Sequence, residues 1–284
     1  MNNPNTTKGL FSPRKWPKKL AAIALFLIGS GMIAFASFYF IAPQIADHRA
    51  QAIAERLKKL DEANLIPGQV NTSSGIDVYP STAAGTIPMG DKLTFRYVNW
   101  NDVPAATDEL GVRIVIPDIH LDQEMVELNV YTNNDGVLEY ETPKFSVGHL
   151  FDRDNIGSNK DVFLWGHINS PWKNEGSAFE NLSEAADHAS QGQAVDVYVY
   201  TEKHVYVYRI VNADFHVPPD NMGLGQNSGE PTVKLVSCWP PYNYRERLVV
   251  TTKLIQVADI PADMQDSTVL KSLPSAFRSN GVLG

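Results

Sequence analysis

TVKLVSCWPPYNYRERLVVTTKL, residues 232–254, holds the only cysteine of the chain, Cys238, at the end of one apolar run and just ahead of another. A sole thiol can form neither an internal disulfide nor a cysteine zinc cluster, so a chemical role for it would be nucleophilic. The competing reading is a small buried filler, because unpaired cysteine is among the most buried residue types. Position favours chemistry. Residues 232–238 are rich in Val and Leu and predict a short strand, which Trp239-Pro240-Pro241 stops directly after the thiol. The last residue of a strand can present its side chain to a cleft while the strand holds it still. Arg247 opens the returning strand Leu248 to Leu254 and can bring a guanidinium back alongside the sulfur.

A thiol nucleophile needs a proton-transfer partner, and the chain offers 7 histidines. His48, His188 and His204 lie in polar helix or turn contexts, and His120 and His216 at strand ends. His167 differs: it follows the buried-strand composition Asp161-Val162-Phe163-Leu164-Trp165, and Gly166 before it permits close approach of another backbone. His149, also preceded by glycine, is the main competitor. Histidine after a strand, cysteine after a strand and arginine before one place three chemical groups at element boundaries, where catalytic residues cluster.

This pattern resembles the sortase family of cysteine transpeptidases. Its Thr-Leu-x-Thr-Cys signature reads Lys234-Leu235-Val236-Ser237-Cys238 here, its histidine matches His167 in LWGHINS, and its arginine matches Arg247 before Leu-Val-Val, Arg245 being too close to the cysteine. RIVIPDIHLDQEMVE from Arg113 and the GSAFENL stretch after the histidine extend the resemblance over roughly residues 111–257. Lys234 and Ser237 depart from the signature, the serine being expected to keep a hydroxyl beside the thiol. The resemblance implies an eight-stranded sortase-type β-barrel, with Cys238, His167 and Arg247 catalytic. Leu235, Ser237 and Trp239 become substrate-binding candidates. It implies as substrates secreted proteins with a C-terminal Leu-Pro-x-Thr-Gly-like sorting signal, joined to a cell-wall precursor or pilin amine. A subclass near the housekeeping or class D and E types is implied by Cys-Trp-Pro and by the lack of the Asp-Pro-aromatic lid of pilus-building sortases.

Composition agrees with an outward-facing enzyme on a tether. Leu20 to Ile41 is uncharged and apolar over the roughly 20 residues a bilayer-crossing helix needs, and Arg14, Lys15, Lys18 and Lys19 precede it. The positive-inside rule then predicts a cytoplasmic N-terminus and an extracellular domain. A cleaved signal peptide is the alternative, with Ala34-Phe35-Ala36 as its site, but the apolar run continues through Ile41. The whole chain carries a net charge of −8, from 24 basic and 32 acidic residues, with no acidic residue before the apolar span. Nothing in that balance attracts nucleic acid.

The expected organisation is therefore a basic cytoplasmic segment (1–19), a membrane anchor (20–41) and a juxtamembrane helix (42–65). A flexible linker (66–92), the barrel (93–257) and a disordered tail (258–284) follow. Ile45, Ile53, Leu57 and Leu60 lie roughly on one face of the juxtamembrane helix, a stripe too short and alanine-rich for a coiled coil. Seven apolar runs predict a mainly β domain with one or two short helices, the clear one being Ser177 to Gln191 with Ser177 and Glu180 at capping-box spacing.

No metal or cofactor is expected: no paired-histidine spacing occurs, and Asp152, Asp154, Glu175 and Glu180 read as solvated. The glycine-rich stretch 223–229 lacks phosphate-loop spacing, and the resemblance makes the surrounding Phe215 to Pro231 loop a specificity candidate. Rival functions are a papain-like protease, whose cysteine would precede its histidine; an L,D-transpeptidase, whose Ser-x-Gly-Cys-Arg setting is not found here; and a membrane-tethered binding protein with an inert barrel.

Overall fold

The computed structural model describes residues 18–63, 65–66, 69–72, 75–78, 87–132, 134, 138–149, 155–168, 174–224, 227–241, 243–275 and 277. Most of the basic segment, Asp152, Asp154 and Ala276 lie outside these residues. The chain divides at Gln44/Ile45 into two compact units. The first is the apolar part of a long helix, α1 (Lys18–Glu62), whose Leu25, Phe26, Ile33 and Phe40 are exposed. That stretch is long and apolar enough to cross a membrane.

Among the described residues, the second unit carries thirteen strands: β1 (Gln69–Thr72), β2 (Gly75–Val78), β3 (Arg96–Tyr97), β4 (Arg113–Ile116), β5 (Leu121–Glu127), β6 (Asn129–Thr132), β7 (Leu138–Glu141), β8 (Val147–His149), β9 (Asp161–Trp165), β10 (Asp196–Tyr200), β11 (His204–Val217), β12 (Thr232–Trp239) and β13 (Glu246–Asp259). Eight of them form a ring in the order β11-β10-β4-β5-β8-β9-β12-β13, closed by pairing of β13 with β11. Closure leaves no unpaired edge within the ring. β3 adds to β13, while β1–β2 and β6–β7 are separate hairpins.

Every ring strand sends alternate side chains into one interior core, among them Ile114, Met125, Val147, Leu164, Val197, Tyr208, Leu235 and Val250. Two smaller clusters cover outer faces. Val115, Tyr198, Tyr200, Val207 and Ile255 form one, and Phe163, Trp165, Val236 and Val249 form the other.

Helices close the packing. In α2 (Leu182–Ser190), Leu182, Ala185, Ala186 and Ala189 recur at helical spacing and are fully buried. It starts later than the Ser177 capping-box pattern predicts, because Phe179 is committed elsewhere: its N–H donates to His167 O at 2.9 Å, and its ring lies where a Cβ on Gly166 would stand, 2.5 Å from that position. The juxtamembrane half of α1 is also part of this core. Ala50, Ile53 and Leu57 are buried in it, with Ala46, Ala54 and Leu60 packed alongside, whereas Ile45 is exposed. The alanines of that stripe allow close approach to the helix's own barrel.

Two further sequence expectations change. Residues 69–72 and 75–78 of the expected linker pair as β1 and β2, and Ile87, toward the far end of that linker, is buried. The segment after Asp259 turns back through a short helix, α3 (Ser267–Ser272), because Leu270 has an apolar site on the barrel and Asp266 caps the helix through the N–H groups of Thr268 and Val269. His204 opens β11, held between Glu109 at 2.6 Å and Asp259 at 3.3 Å.

Candidate functional site

β9, β12 and β13 are neighbours in the ring, β9 parallel and β13 antiparallel to β12. In the antiparallel pair, Cys238 stands directly opposite Arg247. In the parallel pair, Trp165 stands opposite Val236, and Gly166 N–H donates to Val236 O at 3.1 Å. Two residues further along each strand come His167 and Cys238. Register alone therefore brings three residues that are far apart in sequence to one end of three adjacent strands.

Alternation sets the face. Val162, Leu164, Val233, Leu235, Trp239, Leu248 and Val250 belong to the interior core, and the intervening Phe163, Trp165, Val236 and Val249 to the outer cluster. Cys238 follows Val236 by two, Arg247 precedes Val249 by two, and His167 follows Trp165 by two. All three fall in register with the outer face, at the end of an apolar floor. Tyr140 of β7 stacks on Trp165, with centroids 6.0 Å apart, and Met222 and Leu224 pack against the floor from the β11–β12 loop.

The same alternation separates out Leu235, Ser237 and Trp239. Leu235 and Trp239 are buried in the interior core, and Ser237 is buried on that side of the strand. The Ser237 hydroxyl accordingly points to the opposite side of the sheet from the thiol, because consecutive strand residues face opposite ways. The expectation of a hydroxyl beside Cys238 is corrected, and the three residues are placed to support the strand from behind.

His167 sits between two loops. Its Nε2 is 3.0 Å from Thr142 O; a carbonyl can only accept, so this nitrogen carries the hydrogen. Nδ1 faces Glu175 Oε2 at 3.8 Å. Glu175, expected to be solvated, is three-quarters shielded here, and its carbonyl accepts from Phe145 N–H at 3.2 Å. Gly176 adopts φ +85° against the Phe145 backbone, a conformation and an approach that a side chain would disrupt. Gly166 does admit a close neighbour, but the neighbour is the ring of Phe179 rather than a backbone.

Cys238 and Arg247 are both half-buried. Arg247 Nη1 donates to the carbonyls of Tyr244 and Glu246 at 3.2 and 2.9 Å. Arg245 lies outside β13 with its side chain 60% exposed and its Nε 3.9 Å from Glu246 Oε1. His149 is buried in β8, opposite Leu164, away from the end of β12.

Sequence reasoning missed the floor. Phe163 and Trp165 sit at alternate positions of one strand, a pattern that could have flagged an aromatic face. It also missed the polar group on the same face, at the other end of that floor. Lys234, at the first position of the cysteine signature, donates to Asp161 at 2.7 Å and lies over the Phe163 ring, 5.1 Å from its centroid. Asp161 also accepts from Ser228 and Thr232. Burial would raise the Asp161 carboxyl, but hydrogen bonds from Lys234, Ser228 and Thr232 outweigh it and hold it below the ordinary carboxylate value.

A closed barrel with a thiol, an imidazole and a guanidinium at one end of an apolar face has the groups that acyl transfer through sulfur requires. The Sortase domain profile matches residues 114–255, half of the chain, and the protein belongs to the sortase family of cysteine transpeptidases. No curated protein matches the sequence. Similar solved structures include the SrtA sortase of Actinomyces oris, at 15% identity and a TM-score of 0.40, covering 66% of this chain and 95% of that one. Sortase C1 of Streptococcus agalactiae is similar at 22% identity and a TM-score of 0.37, covering 55% and 70%. Sortase E1 of Streptomyces coelicolor, solved with a tripeptide in its active site, is similar at 16% identity and a TM-score of 0.39, covering 55% and 97%.

Proposed function

We propose that this sortase is a membrane-anchored transpeptidase that cuts a Leu-Pro-x-Thr-Gly-like C-terminal sorting signal and joins the protein to a cell-wall or pilin amine, with Cys238, His167 and Arg247 as its catalytic residues. The observation that carries the reading is the register: Cys238 opposite Arg247 on β13, with His167 level with them at the end of β9.

Each group has a distinct task. The thiolate attacks far better than the thiol, whose ordinary pKa of about 8.5 leaves it mostly protonated at neutral pH. His167 as imidazolium favours the ionised sulfur. The sulfur adds to the carbonyl carbon before the signal's glycine, and Arg247 donates to the oxyanion that forms. The carbon–nitrogen bond then breaks as His167 gives its proton to the departing amine, leaving a thioester on Cys238. An acceptor amine attacks that thioester and forms the new amide. The sulfur leaves as thiolate, and His167 takes back the amine's proton.

The apolar floor of Phe163, Trp165, Val236 and Val249 suits the leucine and proline of such a signal. The apolar stretch of α1 supports the anchor, and the basic residues before it support a cytoplasmic N-terminus with the barrel outside.

The test is incubation of the full chain with Leu-x-x-Thr-Gly-like peptides and an amine, with products read by mass. Expected products are the peptide cut before glycine and extended by the amine, and an acylated Cys238 when the amine is withheld. Transfer that leaves Cys238 unacylated throughout would reject the assignment.

A further inference from the structure

Trp239, the residue after Cys238, is buried with 4% of its surface exposed. A buried indole N–H requires an acceptor. Here the acceptor comes from 192 positions earlier in the chain: Trp239 Nε1 donates to Asp47 Oδ1 on α1 at 3.2 Å. Phe215 of β11 holds the same ring edge-on, with centroids 4.9 Å apart and planes at 71°. Asp47 is itself fixed, since Ala50, Ile53 and Leu57 on the following turns are 1%, 6% and 0% exposed within the barrel core.

We infer that Asp47 is a positioning residue for Cys238, acting through Trp239, so that the juxtamembrane half of α1 is a working part of the transfer site and not a spacer. The inference rests on the assignment of Cys238 as nucleophile. Its physical basis is covalent. Cys238 and Trp239 share a peptide plane at the end of β12, where the ladder to β13 stops at the Trp239–Glu246 pair. Beyond that pair Pro240 contributes no N–H to a ladder. Pro240 O accepts from Asn243 and Tyr244 N–H at 3.2 and 3.0 Å, and the indole, gripped by Asp47 and Phe215, is the side-chain anchor of the strand end that carries the sulfur. A displacement of about 1 Å at a reacting atom can cost about 100-fold in rate.

The test uses the full chain in detergent with a Leu-Pro-x-Thr-Gly peptide and an amine, alongside the rate at which iodoacetamide alkylates Cys238. Asp47→Leu removes the acceptor at similar size. It is expected to lower kcat by about tenfold or more with KM within about twofold, and to change the alkylation rate severalfold. Asp47→Asn keeps an acceptor oxygen and should recover most of kcat. Trp239→Phe, which lacks the N–H, should show the Asp47→Leu defect, and the double variant should lose nothing further. Asp47→Leu with wild-type kcat and alkylation rate would overturn the inference. So would equal losses in Asp47→Leu and Asp47→Asn that track a falling melting temperature. Failure of the nucleophile assignment looks different: Cys238→Ala would retain turnover, while the alkylation rates still report whether Asp47 positions the sulfur.

Discussion

The two sides of this barrel treat charged side chains in opposite ways. On the β4–β5 wall, Arg113 is gripped by both oxygens of Asp122 at 2.7 and 2.8 Å, and between β10 and β11 Arg209 is gripped by Asp196 at 2.6 and 3.0 Å. Those ionic groups are sealed, with side-chain exposures of 5% for the first pair and 0% for the second. At the end of β9, β12 and β13 the grip is looser. Arg247 is held by two backbone carbonyls, and among the described residues no carboxylate lies within ion-pair distance of it. His167 meets its carboxylate only at 3.8 Å. A charge answered by a buried carboxylate is committed to the fold, whereas one held by neutral carbonyls keeps most of its field for a ligand. Placement of both kinds in one barrel separates the wall that maintains shape from the wall suited to chemistry.

That separation predicts that substitutions of the groups at the end of β9, β12 and β13 change activity alone, and substitutions in the sealed pairs stability alone. The largest expected effect is at the thiol. Cys238→Ala should abolish peptide cleavage and amine transfer while the melting temperature stays within about 2 °C, since a half-buried sulfur at a strand end leaves no sealed cavity. Retained turnover, or a large fall in melting temperature, would erase the distinction between the walls. The mirror experiment is Asp196→Ala. It removes the carboxylate that grips the buried Arg209 guanidinium and should cost about 3–5 kcal/mol of unfolding free energy in urea melts. At temperatures where the variant remains folded, its turnover per folded molecule should stay close to wild type.

Arg247→Lys comes next. A point ammonium does not reproduce a planar fork of donors, and the substitution should remove about 2–4 kcal/mol of transition-state stabilisation, read as a lower kcat with little change in melting temperature. A smaller effect is expected from Asp161, which sits at the far end of the floor and joins Lys234, Ser228 and Thr232. Its carboxyl is held below the ordinary value, so its contribution to stability is complete above about pH 4 and is lost as pH falls through the folded value. Wild type should therefore lose urea resistance on acidification below about pH 4 more steeply than Asp161→Asn, which starts lower and has no carboxyl there to protonate. Parallel acid limbs in the two proteins would remove Asp161 from the account.

Much of this organisation is legible in the sequence, because runs such as Asp161 to Trp165 and Thr232 to Trp239 are apolar enough to be strands in any context. The order of His167, Cys238 and Arg247 along those runs already suggests a common end. What escaped the reading has specific causes. Leu235, Ser237 and Trp239 are neighbours of the thiol in sequence, but the pleat sends them to the interior. The α1 stripe looked weak because alanine adds little apolar area, yet Ala50 is buried precisely where a larger side chain would hold the helix away. Leu270 gives α3 a single deep anchor, too sparse a signal to register as periodicity. Glu175 and Thr142 reach His167 from segments that no local pattern connects to it.

The smallest expected effect tests the finest part of the comparison, the choice between two arginines only two residues apart. Had β13 begun at Arg245, alternation would have put both guanidinium groups on the same face and left spacing from Cys238 as the sole criterion. The strand instead begins at Glu246, and Tyr244, two residues before it, takes a positive φ of 55°, so Arg245 belongs to the turn. Its side chain is 60% exposed and 3.9 Å from Glu246, a surface pair of the kind that contributes about 0–1 kcal/mol. Arg245→Ala should therefore change kcat by less than about threefold and leave the melting temperature unmoved, with any loss appearing in KM through contact with the edge of the substrate. Measured beside Arg247→Lys on the same peptide and amine, an inactive Arg245 variant next to a near-normal Arg247 variant would transfer the oxyanion role to the turn. It would also mean that the strand register, which pairs Arg247 with Cys238, does not set the chemistry of this end of the barrel.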